Sequence, residues 1–272
     1  MTRPASNFAA AEESPYSQKF FDVRTPGSIA SARAILPLVF ELLSPRSIVD
    51  VGCGAGAWLA VAMEMGIKDA VGIDGVYVTD GSLKIPPKCF RALDLESPAP
   101  LGRSFDLAIC LEVAEHLPKS SAAVLISFLT QLAPAVLFSA AIPGQGGCHH
   151  VNEQWPDYWN AFFAHHEFCR VDCIRAQVWN REDVEPWYAQ NCFLYVQEQS
   201  DLRQRDLLAK RAAFPAPVPA VHPAIYDAAR DVDQLTPRPL LRLLARSFRR
   251  SLAMRLKRIS QVFDSHSHSD LT

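Results

Sequence analysis

The chain has 272 residues, of which 27 are Lys or Arg and 29 are Asp or Glu, so its formal net charge is -2. Hydrophobic residues make up 49% and charged residues 21% of the sequence, which suits a large buried core and excludes a wholly disordered, collagen-like or disulfide-scaffold protein. Because the two signs of charge nearly balance, no overall field steers the protein toward nucleic acid, and we expect no nucleic-acid partner.

The first 27 residues are interpreted as an N-terminal segment that precedes the folded domain. They mix charged and small polar side chains and contain no apolar stretch of the kind that forms a signal peptide. We therefore expect a cytoplasmic protein.

Residues 28–212 are predicted to form one α/β domain. Apolar, β-branched stretches alternate there with stretches of helical length, as in a parallel sheet that helices cover on both faces. Predicted helices span residues 28–43, 58–65, 120–132 and 156–165. Predicted strands span residues 47–51, 70–74, 89–93, 106–110, 135–139, 168–174 and 191–197. The last two strands are close enough in sequence to pair as an antiparallel edge.

The first predicted strand runs into a glycine-rich loop that opens a helix. The loop carries Gly52, Gly54 and Gly56, which let the backbone turn sharply and approach a ligand closely at the helix N-terminus. Asp74 ends the next strand, where a carboxylate can bind the hydroxyls of a ribose. The loop and Asp74 together fit either NAD or S-adenosylmethionine.

Asp50 favours a zwitterionic ligand over a diphosphate. Its carboxylate, two residues before the first glycine of the loop, would repel a pyrophosphate but suit the ammonium of a methionine moiety. Asp94 and Leu95 follow the third strand, where they can meet an adenine. Leu111 and Glu112 follow the fourth strand, beside the expected sulfonium. In open α/β sheets, ligands bind at the carboxyl ends of the strands, where the strand order reverses.

These motifs, in this order, resemble the class I S-adenosylmethionine-dependent methyltransferases over residues 28–198. The motifs are Val49-Asp50-Val51-Gly52-Cys53-Gly54-Ala55-Gly56, Gly72-Ile73-Asp74, Ala92-Leu93-Asp94-Leu95 and Phe105-Asp106-Leu107-Ala108-Ile109-Cys110. The resemblance implies a Rossmann-like fold whose seven-stranded, mostly parallel sheet has one antiparallel edge strand. It also implies S-adenosylmethionine as the cofactor. Its contacts would then be Gly52, Gly54 and Gly56 around the methionine part, Asp74 at the ribose and Asp94 at the adenine amine.

A cluster of carboxylates and imidazoles is expected beside the cofactor. If residues 112–116 form a helical turn, Glu112, Glu115 and His116 share one face. His150 lies in the loop after the fifth strand and reaches the same rim of the sheet. The pattern resembles the metal-binding set of ubiquinone-biosynthesis O-methyltransferases and small-RNA 2′-O-methyltransferases, which implies a divalent metal ion held by these four residues. In the alternative, no metal is bound and His116 or His150 is the general base.

The C-terminal region is predicted to be separate from the domain. Residues 213–237 form a Pro-rich linker, whose prolines favour an extended chain. Residues 238–272 are a tail that begins with a basic amphipathic helix, because eight Lys or Arg and no acidic residue lie between positions 238 and 258 around an apolar stripe. That stripe suits self-association, docking on the acidic body of the domain, or peripheral contact with an anionic membrane.

The expected activity is methyl transfer from S-adenosylmethionine to a small-molecule or glycan acceptor, most simply onto an oxygen. The stretch 150–156 resembles one common in bacterial methyltransferases of uncharacterised or glycan-related type, which weakly favours a sugar or small-metabolite acceptor. Two alternatives stay open: an NAD-dependent oxidoreductase that uses the same loop, and a non-catalytic scaffold subunit that binds the cofactor.

Overall fold

The computed structural model describes positions 18–198, 220–230, 241, 245 and 248. The strands are β1 (Ser47–Val51), β2 (Asp69–Asp74), β3 (Phe90–Ala92), β4 (Leu107–Leu111), β5 (Ala135–Ser139), β6 (Phe168–Val171) and β7 (Phe193–Gln197). The helices are α1 (Gln18–Leu43), α2 (Ala57–Glu64), α3 (Ala122–Leu132), α4 (Pro156–His165), α5 (Arg175–Val178), α6 (Pro186–Asn191) and α7 (Pro223–Arg230).

The seven strands form one sheet in the order β3-β2-β1-β4-β5-β7-β6. Strand β7 runs antiparallel to β5 and β6, and the other adjacent pairs are parallel. The predicted seven-stranded, mostly parallel Rossmann-like sheet is confirmed. Its antiparallel strand lies one position inside the edge strand β6, because β7 is apolar on both faces and β6 is only partly buried. The strand order reverses between β1 and β4, so residues that follow these strands meet at a switch point.

Two apolar layers cover the sheet, one on each face. Ile48, Ile109 and Leu137 lie in the layer shared with α1 and α2. Val49 and Phe138 lie in the layer shared with α3 and α4. Because successive strand residues point to opposite faces, strands buried on both faces are apolar at every position. This is the pattern that predicted them from sequence.

Helix α1 begins at Gln18, well before the predicted start at residue 28. Pro26 lies inside it and is followed by Gly27, a pair that normally ends a helix. A local and a tertiary hydrogen bond override this signal. Within α1 the Ser31 hydroxyl donates to the Gly27 carbonyl at 2.8 Å, and from another segment the Glu185 backbone N–H donates to the Ser31 hydroxyl at 2.9 Å. Part of the predicted N-terminal segment therefore belongs to the folded domain.

Helix α1 is also the one helix in the described part of the chain that is long and apolar enough to cross a membrane. The stretch is Phe21–Leu43, with a mean hydropathy of 1.3. Core helices satisfy the same criteria of length and composition. The side chains of Ala32, Ile35, Leu36 and Val39 are fully buried in the layer against the sheet, so α1 is a core helix of this domain.

Strand β6 ends at Val171, although its apolar pattern predicts a strand that continues to residue 174. The Asp172 carboxylate accepts a hydrogen bond from Arg175 Nε at 3.0 Å, and α5 begins at Arg175. This buried ion pair turns the chain where the apolar pattern alone would extend the strand. The observed bounds of β1, β5 and α4 equal the predicted ones.

Residues 220–226 lie against the domain, whereas the sequence predicts a linker over 213–237. By its contacts, the chain divides into a unit that ends at Tyr226 and a second that begins at Asp227. The side chain of Ile225 is buried. The described end of the predicted linker is thus docked, and its positions 213–219 and 231–237 lie outside the described residues.

The predicted basic helix and tail, 238–272, lie almost entirely outside the described residues. Leu241, Ala245 and Phe248 are described, and each is helical. Leu241 exposes 64% and Phe248 exposes 75% of its surface. These three positions agree with the predicted helix.

Candidate active site

A cavity of about 300 Å³ opens at the carboxyl ends of β1, β2 and β4, at the switch point of the sheet. Its walls are the glycine loop after β1, the turns after β2 and β3, and the segment after β4. Phe21 of α1 contributes to one wall. The predicted cofactor residues that line the cavity are Gly52, Gly54, Asp74, Asp94, Leu95 and Glu112.

Left-handed backbone shapes the glycine loop. Gly52, Gly54 and Gly56 have φ values of 80°, 53° and 81°, which residues with a Cβ rarely adopt. A Cβ added at Gly52 would lie 2.3 Å from the side chain of Val113. The loop therefore needs glycine there for its conformation and for its close approach to the segment after β4.

Asp74 joins the glycine loop to the turn after β2. Its Oδ2 accepts a hydrogen bond from the Gly54 N–H at 2.6 Å, and its Oδ1 accepts one from the Gly75 N–H at 2.7 Å. The hydroxyl of Tyr77 also donates to Oδ1. Burial raises the pKa of Asp74, and these hydrogen bonds oppose the rise. Since a carboxylate offers about four acceptor positions, a ligand hydroxyl can use the remaining position or exchange with Tyr77.

Asp94 and Leu95 line the cavity from the turn after β3. The Asp94 Oδ1 accepts a hydrogen bond from the Glu96 backbone N–H at 2.9 Å, so Asp94 also stabilises this turn. Leu95 is buried and supplies an apolar wall beside it. The pair offers one polar and one apolar contact to a planar ligand.

Three predicted cofactor residues lie behind the cavity wall. Gly56 precedes the first residue of α2, and Leu111 packs in the apolar layer shared with α1. Asp50 is 3% exposed, and burial together with the Asp74 charge raises its pKa well above the usual value. Within the described residues, Asp50 Oδ2 has no hydrogen-bond partner. Because this oxygen is buried behind the glycine loop, a ligand in the cavity cannot contact it unless the loop moves.

The segment after β4 does not form the predicted helical turn. Glu112 has a φ of 54°, which is uncommon for a residue other than glycine. Its backbone N–H donates to Ser139 of β5 at the carbonyl oxygen (3.0 Å) and at Oγ (3.1 Å). A 3₁₀ turn begins only at Ala114 and ends at His116. The predicted common helical face of Glu112 with Glu115 and His116 is therefore wrong, because β5 holds Glu112 outside the turn.

Amide side chains hold the Glu112 carboxylate. Asn191 Nδ2 donates to its Oε1 at 3.1 Å, and Gln145 Nε2 donates to its Oε2 at 2.8 Å. Burial raises the pKa of Glu112, while the hydrogen bonds from Asn191, Ser139 and Gln145 oppose the rise. Glu112 thus presents a fixed carboxyl group to the cavity.

Glu115, His116 and His150 do come together, with one donor atom from each within 4.8 Å of the others. The backbone N–H groups of Val151 and Asn152 donate to the Glu115 carbonyl at 2.9 Å and 3.0 Å, which brings the loop after β5 onto the segment after β4. The two imidazole rings meet edge to face, 4.8 Å apart. Glu112, the fourth predicted metal ligand, is not a member of this group among the described residues.

The Glu115 carboxyl group is fully buried, and within the described residues neither of its oxygens has a hydrogen-bond partner. His150 Nε2 lies 4.0 Å from its Oε1. Burial raises the pKa of Glu115 well above the usual value, and the nearby Glu112 raises it further, whereas backbone groups of Glu115 and Ala141 oppose the rise. Because an unpaired buried carboxylate is costly, this position calls for a proton or a cation.

The two imidazoles have different environments. Burial, and next His150, lower the pKa of His116 to about 4, so His116 is neutral near pH 7. His150 Nδ1 lies 3.0 Å from Glu153 Oε1. Glu153 also accepts hydrogen bonds from the Gly144 and Gly146 N–H groups at 2.7 Å and 3.0 Å. With its proton on Nδ1, His150 directs the Nε2 lone pair toward Glu115.

Sequence reasoning missed several residues of the site, namely Phe21, Tyr77, Gln145, Glu153 and Asn191. Tyr77 is three residues from Asp74 and could have been found as a local donor. Gln145 and Asn191 are 33 and 79 residues from Glu112, so no spacing rule connects them with it.

Known proteins resemble this chain in sequence and in fold. A family model described as Methyltransferase domain matches residues 28–185. Two curated relatives are the ubiquinone biosynthesis O-methyltransferases of Neisseria meningitidis serogroup C (strain 053442) and serogroup A / serotype 4A (strain DSM 15465 / Z2491). Each is 30% identical to this chain over 95 residues, which is 30% of this chain and 38% of the relative. The chain thus matches well under half of their length.

A solved structure also shares the fold. The sugar N-methyltransferase KedS8 from Streptoalloteichus sp ATCC 53650 has a TM-score of 0.52 and 16% identity, over 73% of this chain and 99% of that chain. At this identity the likeness concerns the fold alone. The family-model match, in contrast, spans more than half of this chain and includes the glycine loop, Asp74 and the cluster of Glu115, His116 and His150. The chain therefore belongs to the methyltransferase family, and it is a member of the class I S-adenosylmethionine-dependent group that its motifs resemble.

Proposed function

We propose that this protein transfers a methyl group from S-adenosylmethionine to an oxygen of a small-molecule or glycan acceptor. The observation that carries the proposal is that one cavity joins the glycine loop and Asp74 to Glu112 and His116. A ligand in this cavity lies between groups suited to ribose hydroxyls and a group that can take up a proton. Membership of the methyltransferase family disfavours the alternative of an NAD-dependent oxidoreductase.

The cavity residues fit this cofactor, which supplies an electrophilic methyl group when it is bound. Asp74 would accept hydrogen bonds from the ribose hydroxyls, in exchange for that of Tyr77. Asp94 and Leu95 would receive the adenine. Asp50 lies behind the glycine loop, and the charge of its carboxyl group would attract the ammonium end of the molecule without contacting it.

An oxygen acceptor must lose a proton, and the site offers His116 and His150 as general bases. His116 is neutral near pH 7 and lines the cavity. His150 is oriented by Glu153. The remaining residues need only align the acceptor oxygen with the methyl group while the proton passes to an imidazole. The likeness to O-methyltransferases over 95 residues supports oxygen as the methylated atom.

A divalent metal ion at Glu115, His116 and His150 is a second proposal. It is favoured by the fully buried Glu115 carboxyl group, whose oxygens have no hydrogen-bond partner within the described residues. A set of one carboxylate and two imidazoles suits zinc, iron or cobalt, whereas an all-oxygen set suits magnesium. Such an ion would neutralise Glu115 and could hold the acceptor oxygens.

The metal proposal is tested by titrating Zn²⁺ and Mn²⁺ into the chelator-treated protein by calorimetry. We expect binding to the wild type and its loss in Glu115→Gln, whereas Glu64→Gln, a change at the surface, keeps it. S-adenosylhomocysteine should still bind Glu115→Gln. Full turnover in excess chelator would overturn the metal proposal, and an imidazole would then be the base.

The cofactor proposal is tested by thermal unfolding with S-adenosylhomocysteine and with NAD. We expect S-adenosylhomocysteine alone to raise the melting temperature, and Asp74→Ala to abolish the rise, because each lost charge-assisted hydrogen bond costs about 1.5–3 kcal/mol. Tyr77→Phe is the matched control, since it removes one partner of Asp74 and leaves the carboxylate. A stabilising response to NAD alone would overturn the proposal.

The scaffold alternative is distinguished by turnover. The protein is incubated with S-adenosylmethionine and a panel of phenols and sugars, and S-adenosylhomocysteine release is measured. Release that depends on the acceptor and is lost when both His116 and His150 are replaced by Ala supports the enzyme. Cofactor binding without turnover on any acceptor in the panel favours the scaffold.

A further inference from the structure

The segment 220–226, here called the strap, docks beside the active site. The backbone N–H of His222 donates to Gln190 Oε1 at 2.7 Å. Its imidazole Nε2 donates to the Trp179 carbonyl at 2.8 Å, and Ile225 is buried. The strap is thus fixed to the domain by its backbone, by a ring and by an apolar side chain.

From Gln190, a chain of side-chain amides leads to the cavity. Gln190 Nε2 donates to Gln145 Oε1 at 3.2 Å and to Asn191 Oδ1 at 2.9 Å. Asn191 Nδ2 donates to Gln145 Oε1 at 2.9 Å and to Glu112 Oε1 at 3.1 Å. Gln145 Nε2 donates to Glu112 Oε2 at 2.8 Å. The His222 N–H is therefore linked through hydrogen bonds to both oxygens of Glu112.

The side-chain amides in this hydrogen-bond network are all oriented in the same direction. Their NH₂ groups point toward Glu112, and their oxygens point toward the strap. Gln190 is 1% exposed, so without the His222 N–H its oxygen would be buried with a lost partner. Turning the Gln190 amide over would instead oppose its oxygen to the oxygens of Gln145 and Asn191. Two backbone N–H groups thus orient the network from the side away from Glu112: that of His222 at Gln190, and that of Ile142, which donates to Gln145 Oε1 at 3.4 Å. The His222 N–H alone orients Gln190.

We infer that the strap is a positioning element. Its His222 N–H acts through Gln190, Gln145 and Asn191 to hold both Glu112 oxygens as acceptors in the cavity. There the Glu112 oxygens favour a positively charged ligand over a neutral one. Gln190, Asn191 and the strap lie outside the stretch 28–185 that the family model matches, so they add to the matched domain. The inference rests on the proposed function, because it takes S-adenosylmethionine as the charged ligand and S-adenosylhomocysteine as the neutral one.

Two full-length variants isolate the backbone N–H. His222→Pro removes both the imidazole and the N–H, whereas the reference His222→Ala removes the imidazole alone. Calorimetry with S-adenosylmethionine and S-adenosylhomocysteine gives the ratio of the two affinities, which reports on charge because the ligands differ by one methyl group and one positive charge. We expect this ratio in His222→Pro to fall about tenfold below that in His222→Ala.

A second readout does not depend on ligand. In ¹⁵N spectra, the side-chain NH₂ resonances of Gln145 and Asn191 should move in His222→Pro relative to His222→Ala. If His222→Pro does not fold, Gln190→Met breaks the same link and is compared with the wild type.

An affinity ratio equal to that of the reference would overturn the charge preference, and unmoved resonances would overturn the coupling itself. If the wild type binds neither ligand, the proposed function fails, and the resonances alone decide whether the strap positions Glu112.

Discussion

Asp50 is a buried carboxyl group whose charge opposes folding. Burial, and next Asp74, raise its pKa, so the native state binds more protons than the unfolded state above pH 3.8. The free energy of unfolding therefore falls as the pH rises from there through the folded-state pKa. Asp50→Asn removes this loss, and we expect the variant to be more stable than the wild type at pH 8 by about 1–3 kcal/mol.

Urea unfolding of the ligand-free proteins between pH 5 and pH 8 measures this effect. The variant should show a weaker dependence on pH than the wild type. Asp80→Asn, at an exposed position, serves as the control and should follow the wild type. Parallel curves for Asp50→Asn and the wild type would contradict the interpretation of Asp50.

The pKa of His116 is shifted in the opposite direction to that of Asp50. Burial of the imidazole and the nearby His150 disfavour its cationic form, so they lower this pKa. Its folded-state pKa of about 4 lies below the ordinary value of 6.5, so it strengthens the fold as the pH rises through this interval. An NMR titration of the chelator-treated protein should give a midpoint of about 4 for the ring proton that disappears in His116→Gln. A midpoint near 6.5 would show that water reaches the ring.

At the scale of elements, Gly52 in the glycine loop is under two constraints, a positive φ and a close neighbour. Comparison with Gly102, which lies outside the loop and has only the positive φ, separates them. Gly102 has a φ of 70° with no neighbour within 4 Å of an added Cβ, whereas Gly52 has a φ of 80° and Val113 at 2.3 Å. Gly102→Ala should cost about 1–2 kcal/mol for its backbone alone. Gly52→Ala should cost more and should lose S-adenosylhomocysteine binding.

Adding Val113→Ala to Gly52→Ala should recover part of the stability, as measured by urea unfolding. Equal losses for Gly52→Ala and Gly102→Ala would mean that the close approach to the segment after β4 carries no cost.

A sequence pattern predicts a structural feature when the residues that determine this feature are close together in the chain. The loop, its strand and Asp74 lie in one β-α-β unit, and their motifs predicted both the fold and this half of the site. Glu112 shows the limit: the spacing to Glu115 predicted a helical face, but its backbone is set by Ser139 on another strand. Helix α1 shows the same limit, since contacts with residue 185 override its Pro-Gly signal.

At the scale of the whole molecule, we propose that the basic tail 238–272 mediates self-association or contact with anionic membranes. A chain that ends at Arg230 keeps the strap and should bind S-adenosylhomocysteine normally, because the residues that line the cavity lie between Phe21 and Leu117. It should no longer sediment with vesicles of phosphatidylglycerol and phosphatidylcholine, and light scattering should show a monomer.

A chain that ends at Pro223 is the informative comparison for that experiment. It also lacks Ile225, whose burial should make its removal cost about 2–5 kcal/mol of stability. If vesicle binding or self-association survives in the chain that ends at Arg230, the tail is not the element responsible.

Helix α1 is synthesised before the strands against which it packs. Its buried face packs in a layer that includes Leu107, Leu137 and Leu194, all of which are synthesised later. At about 5–20 residues per second, the roughly 64 residues between Leu43 and Leu107 take about 3–13 s to emerge. During this interval α1 exposes a stretch as apolar as a membrane helix, to which chaperones and membrane-targeting factors can bind.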